Sequence, residues 1–169
     1  MTDNLIYIDN NVYEAMQAEL INLRHCIANL TEANYLTNLR LEQNERLLNG
    51  IAKANNCLLT IEDYEQSMNA ALAALGNAAI VDRIYIFKIH PHPNTSEMLI
   101  SQRWEWIAPG IIPEIDNPQL QNISYDTFLP RWHKNFTQGK PISGLVKDFP
   151  QAEREALERQ NILSILVMP

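Results

Sequence analysis

The sequence predicts an α+β protein: a long N-terminal helix, then a compact domain in which helices flank an antiparallel sheet. Two observations carry this. Glycine and proline are absent from the first 49 residues, the first glycine is Gly50, and all nine prolines lie from Pro91 onward. Nothing before Gly50 interrupts a helical hydrogen-bond ladder, whereas the second half must be short elements joined by turns. The second observation is a change of period. Apolar residues recur every 3.5 positions in the first part, whereas 81–89 is β-branched and aromatic with apolar residues on both faces near its middle, and 98–107 alternates in twos. We divide the chain into a tail (1–11), a helical linker (12–49) and a folded domain (50–169).

The linker carries a heptad register. Tyr13, Leu20, Ile27, Asn34, Leu41 and Leu48 occupy position a. Met16, Leu23, Leu30, Thr37, Asn44 and Ile51 occupy position d. A period of 3.5 held this long favours a left-handed coiled coil. Glu19 at g faces Arg24 at e of the next heptad, and Arg40 faces Glu45 in the same way. That offset joins two parallel chains. Asn34 at a is unfavourable if buried alone, but paired with its copy it fixes register and orientation. From Tyr13 to Ile51 the rod would be roughly 58 Å long. The partner expected is a second copy of the chain. The other reading is one amphipathic helix folded back on its own domain.

Beyond the linker the elements alternate. Thr60 is expected to open a helix, with Asp63 as its capping-box partner and Gly76 as its end. Ile61, Tyr64, Met68, Ala71, Leu72 and Leu75 form its apolar stripe. Val81–Ile89 is β-branched and aromatic and reads as a central strand. His90-Pro91-His92-Pro93-Asn94-Thr95-Ser96 turns the chain. Met98–Ile107 returns as a second strand, with Met98, Ile100, Trp104 and Trp106 on one face and Ser101, Arg103 and Glu105 on the other. Pro109, Gly110, Pro113 and Pro118 mark a loop. A short helix starting near Pro130 carries Trp132 and Phe136, in a stretch with Phe128 and Leu129, and stops by Gly139. Ile142–Val146 adds a strand edge, Pro150 opens a helix to about Arg159, and Ile162–Met168 reads as a buried strand.

Composition excludes several classes. Hydrophobic residues are 46%, charged residues 20%, and the formal net charge is −7. This is a folded chain with no basic surface for nucleic acid or anionic lipid, so neither is expected as a partner. No apolar run approaches the roughly 20 residues of a spanning helix, and no signal peptide is visible. The two cysteines, Cys26 and Cys57, form no disulfide framework and suit a reducing cytoplasm.

A family resemblance rests on several segments in order. They are Arg46-Leu47-Leu48-Asn49-Gly50-Ile51-Ala52-Lys53-Ala54 through Cys57-Leu58-Leu59-Thr60, then Val81-Asp82-Arg83-Ile84-Tyr85-Ile86-Phe87 and Ser101-Gln102-Arg103-Trp104-Glu105-Trp106. Asp116-Asn117-Pro118, Pro130-Arg131-Trp132, Gly139-Lys140-Pro141-Ile142, Asp148-Phe149-Pro150 and Ile165-Leu166-Val167-Met168-Pro169 follow. From about Leu41 to Pro169 the chain resembles GAF domains of bacterial signalling proteins, most closely those of cyanobacterial multi-sensor histidine kinases. The resemblance implies a GAF-like antiparallel sheet with helices on one side and a ligand cavity on the other. It implies a sensor that dimerises, or binds a small molecule, and passes the change along a helical linker to a downstream signalling domain. The family continues past a segment like Ile165–Pro169 with further strands and a closing helix. On that pattern the chain reads as a fragment or a truncation, with a histidine kinase or a cyclase as the possible parent.

Candidate site residues follow. Tyr85, Phe87, Trp104, Trp106, Trp132 and Phe136 either line an aromatic ligand pocket or build the core. Arg83, Arg103 and Arg131 either hold an anionic ligand group or lie on the surface. Asp82 is a pocket polar group or a solvated edge. His90 and His92 lie in a turn, His25 and His133 elsewhere, and no metal site is expected. Cys57 is a reactive thiol or a small buried hydrophobe. Bilin-binding relatives use a cysteine in the helix that here reads Pro130-Arg131-Trp132-His133-Lys134, which has none, so no covalent cofactor is expected. The Asn-Lys…Phe…Asp-Glu pattern of cyclic-nucleotide-binding relatives is not recognisable. Gly-rich phosphate loops, Gly-x-Ser-x-Gly and Cys-x-x-Cys are absent, so this chain reads as non-catalytic. His25, after Arg24, resembles a phosphoacceptor but lacks the following acid and sits at position f. A purely structural docking module is the remaining reading.

Overall fold

The computed structural model describes residues 9–95, 97–124 and 130–169. Helix α1 runs from Asn10 to Thr60, 51 residues without a break. Helix α2 spans Tyr64–Ala79. Strands β1 (Arg83–Pro91), β2 (Met98–Ile107) and β3 (Ile123–Ser124) form one antiparallel sheet in that order. Helix α3 (Pro130–Phe136), β4 (Ile142–Leu145), helix α4 (Gln151–Glu158) and β5 (Ser164–Val167) complete the chain, with β4 and β5 paired antiparallel as a second sheet. Short 3-10 turns cover Pro118–Leu120 and Val146–Asp148. The expected Phe128 and Leu129 lie outside the described residues. The architecture is α+β, a small antiparallel sheet with flanking helices after a long helix. The chain divides into two compact units, one up to Asn49 and one from Gly50 to Pro169.

Helix α1 is longer than expected at both ends, and Thr60 closes it instead of opening α2. Gly50 does not break it. The bonded ladder needs no side chain, and Gly50 is buried because α2 comes so close that a Cβ there would collide with the Cβ of Ala78. Ala54, Ala71 and Ala74 continue this contact, joined by Cys57 and Leu75. Small side chains let the two helix axes approach, and each contact then buries backbone as well as methyl groups.

The start of α2 is set by Asp63, which is the N-cap itself. Its carboxylate accepts the Gln66 N–H at 2.7 Å, and its backbone is extended (φ −73°, ψ 119°). Gly76 does not end the helix. The helix continues to Ala79, and Ile80 closes it in the left-handed region (φ 53°, ψ 54°), donating its N–H to the Gly76 carbonyl. Gly76 is instead a packing position, since a Cβ there would overlap the indole ring of Trp106.

Strand β1 begins later and ends later than expected, at Arg83 and Pro91, so the His90-Pro91 pair belongs to the strand. It lies at the end of its sheet and β2 is central, correcting the reading of 81–89 as a central strand.

The pairing of β1 and β2 contains a bulge. Ile86 pairs with Trp104 and Phe87 with Gln102, leaving Arg103 as the extra residue. One extra residue reverses the alternation. Trp104 and Trp106 therefore share a face with Ile86 and Ile84, whereas Ile100 and Met98 pair with Ile89 and Pro91 on the other. The sequence reading put all four on one face, because strict alternation cannot see a bulge. The segment Ile162–Met168 is also corrected. Only Ser164–Val167 is strand, and Leu163, Leu166 and Met168 are exposed.

Candidate functional site

The seam residues of α1 are solvent-facing. Tyr13, Met16, Leu20, Leu23, Ile27, Leu30, Leu41 and Leu48 are each 44–65% exposed. Asn34, Thr37 and Asn44 are exposed on the same stripe. The Thr37 hydroxyl is turned back to the Ala33 carbonyl at 2.8 Å, a local bond that asks for no partner. Comparable exposure extends to Val12, Ile21, Tyr35, Leu36 and Leu39 on other sides of the helix.

The eight pocket candidates fall into separate groups. Trp104 and Trp106 face α2. The Trp104 indole donates to Glu65 at 2.8 Å and meets the Tyr64 ring edge-on at 5.5 Å, and the Trp106 indole lies against Gly76. Tyr85 and Phe87 belong to the opposite face of the sheet, their rings edge-to-face at 5.4 Å. Arg103 is exposed at the bulge. Arg131, Trp132 and Phe136 lie on α3, with the Trp132 and Phe136 rings 6.1 Å apart.

The α3 group is organised by a residue that sequence reasoning missed. Glu153 on α4 is 5% exposed and accepts both a guanidinium fork from Arg131 (Nε at 2.7 Å, with Nη2 on the other oxygen) and the Trp132 indole N–H at 2.8 Å. Arg131 also lies over the Phe149 ring at 5.2 Å. Burial pushes the Glu153 carboxyl up, but the hydrogen bonds from Arg131 and Trp132 outweigh it, and the group is held below the usual carboxylate range. The hydrogen bond to Glu153 raises Arg131 in turn. Both Glu153 oxygens accept hydrogen bonds from α3, so this cluster is a clasp between α3 and α4. Within Gln151–Glu158 the carboxylate looks like any other surface acid, which is why it was not visible earlier.

The sheet face opposite α2 is a second polar cluster. Arg83 Nε lies 3.2 Å from Glu105 Oε1, and Arg83 Nη2 donates to the Ile112 carbonyl at 2.7 Å. The other Glu105 oxygen accepts the backbone N–H groups of Glu114 and Ile115 at 2.8 and 2.9 Å. This ties the loop after β2 over the sheet. Tyr85 sits among these groups. Burial pushes its phenol up to about 12, against the opposing pull of Arg83. Gln102 shares the face and is 2% exposed, yet neither its amide oxygen nor its amide nitrogen has a hydrogen-bond partner among the described residues.

Open grooves lie among the described residues. One, about 450 Å³, lies between β3 and α4 and is lined by Leu120, Ile123, Ser124, Ala152 and Ala156 among others. Another, about 300 Å³, lies beside β4 at Leu145, Val146 and Leu163. None of the eight pocket candidates lines either. His90 and His92 are held locally, His90 Nε2 at 2.9 Å from the Ser101 hydroxyl and His92 Nδ1 accepting from Asn94 N–H. Cys57 packs in the α1–α2 contact and Cys26 is exposed. Among the described residues, no three His, Cys, Asp or Glu side chains cluster as metal ligands, and no helix is long and apolar enough to cross a membrane.

No family model matches the sequence. Over 131 residues the chain is 38% identical to the methanogenesis regulatory histidine kinase FilI of Methanothrix harundinacea (strain 6Ac). The match covers 78% of this chain and 15% of that kinase, so the similarity is to a segment of a much longer protein.

Proposed function

We propose that this chain is a sensory or regulatory module of a histidine-kinase type signalling protein, GAF-like in organisation, with no catalysis of its own. Two copies associate in parallel through α1, and the sheet unit receives the signal. The observation that carries the reading is the exposed a/d stripe of α1, from Tyr13 to Leu48. The similarity to a regulatory kinase supports the signalling assignment. The mechanism is a population shift. A small ligand or a partner prefers one packing of the sheet unit, and the helix pair changes register or rotation in response. The polar part of the stripe, Asn34, Thr37 and Asn44, is where such a change is least costly.

A disulfide trap tests the arm. Leu30→Cys in a Cys26→Ser, Cys57→Ala background leaves one thiol, at a d position. In a parallel, in-register pair the two thiols meet, and mild oxidation gives a covalent dimer. A chain that sediments as a monomer at high micromolar concentration, and gives no crosslink, overturns the reading. A second reading, the N-terminal part of a kinase acting with a catalytic region elsewhere, is favoured by the 15% coverage of the relative. It differs only in what lies downstream.

A further inference from the structure

The sharpest anomaly in the sheet unit is Gln102. Its side chain is almost completely buried, and both ends of its amide lack a partner among the described residues. A buried amide left unpaired has lost its water with nothing to offset that loss, so native proteins rarely keep one without a use. Arg83 Nε and Nη1, Glu105 Oε1 and Ser124 Oγ are also buried without a hydrogen bond, but Arg83 and Glu105 face each other as an ion pair at 3.2 Å. The Ser101 hydroxyl engages His90 and the Asn122 N–H, and the Gln102 backbone carbonyl accepts from Gln121 Nε2 at 3.2 Å. Among these groups Gln102 is the amide, with both its donor and its acceptor unpartnered, and the β-bulge at Arg103 is what places it. The extra residue sets Gln102 opposite Phe87, on the face that also carries Tyr85.

We propose that Gln102 is the recognition residue for a small planar ligand that presents a hydrogen-bond donor beside an acceptor, as a lactam, a cyclic amide or a pyridone does. The inference rests on the sensory reading above and names the chemistry of its ligand. A primary amide offers one oxygen acceptor and an N–H donor on the same edge, and a cis-amide edge completes both bonds at once. Phe87 and Tyr85 supply aromatic surface for the flat ring. Tyr85 stays a neutral phenol to about 12, so it adds no negative charge beside the ligand. Gln102 lies inside the unit and not in either open groove, so occupancy requires the side chains around it to repack. That coupling is what lets a bound molecule shift the population of the sheet unit.

The test uses the whole chain, isotopically labelled, with 2-pyridone as probe and N-methyl-2-pyridone as the matched compound lacking the donor. The side-chain amide resonances of Gln102 are followed by NMR through both titrations. The expected result is a saturable shift with 2-pyridone and binding about tenfold weaker, or undetectable, with the N-methyl compound. Gln102→Met keeps the length of the side chain and removes both polar ends. 2-Pyridone binding to this variant, read from the backbone amides of Phe87 and Arg103, should be lost, while the melting temperature stays unchanged or rises. No shift of the Gln102 amide up to the solubility limit of 2-pyridone overturns the proposal, as does an equal response to both compounds. The wild-type titrations decide even if the variant does not fold. A crosslinked, dimeric arm with a silent Gln102 removes this inference and leaves the sensory reading. A responding Gln102 in a monomeric chain does the reverse.

Discussion

Gly76 of α2 lies directly beneath the indole of Trp106 on β2, so close that a methyl group on Gly76 would occupy the ring. This contact joins the helix layer to the sheet, and it decides what Gly76 is for. Alanine is the better helix former by about 1 kcal/mol, and on an open helix Gly76→Ala would stabilise. Here the overlap costs more, on the order of 1–3 kcal/mol, since neither the indole nor the helix backbone can move freely. Gly76→Ala should therefore lower stability to chemical denaturation. An unchanged or higher midpoint would show that Trp106 has room to turn aside.

The clasp between α3 and α4 predicts an acid dependence. Glu153 has a lowered folded-state pKa, so its contribution is present above the ordinary carboxylate pKa and is lost as pH falls through the folded value. Stability should thus decline below about pH 4.3, the unperturbed value. Glu153→Gln should remove that part of the decline and lower stability at neutral pH by about 2 kcal/mol. Parallel acid titrations of the two proteins by circular dichroism make the comparison. Identical curves would mean that the clasp contributes nothing net.

Tyr85 predicts an alkaline dependence of the opposite origin. Its folded-state pKa is raised to about 12, mainly by burial. The neutral phenol is favoured in the folded state, so the contribution is full below about pH 10 and is lost as pH rises through about 12. Tyr85→Phe should flatten stability between those values. The phenolate absorbance of wild type should include a late-titrating component that is missing in the variant.

Ile80 carries a strained backbone. A β-branched residue in the left-handed region costs roughly 1–2 kcal/mol, and the side chain is 70% exposed, with little packing to repay it. Ile80→Gly should raise stability by about 1 kcal/mol. A loss would mean that the isoleucine side chain holds the α2–β1 junction by contact.

The arm gives a prediction on association. Asn34→Leu replaces the polar a residue by an apolar one. Self-association should tighten by roughly tenfold, about 1.4 kcal/mol, and the assembly should lose its single state. Sedimentation equilibrium reads both effects. Tightening without any new species would mean that Asn34 does not set the oligomer.

The sequence by itself determined what depends on neighbours a few positions apart. An unbroken ladder without proline makes α1, the heptad stripe places Tyr13 through Leu48 on one side, and alternating β-branched and aromatic residues make the β1–β2 hairpin. Such features arise from backbone sterics and from side-chain period, and both are local. The tertiary structure decided what depends on residues far apart in the chain. Gly50 and Gly76 look like breaks in the sequence, but Ala78 and Trp106 turn them into close contacts. Glu153 acquires its meaning from Arg131, 22 positions away. The bulge at Arg103 moves Ile100 and Gln102 away from the tryptophan face, because one extra residue in a ladder of period two reverses every side chain beyond it. Burial and pairing belong to space, and spacing along the chain does not carry them.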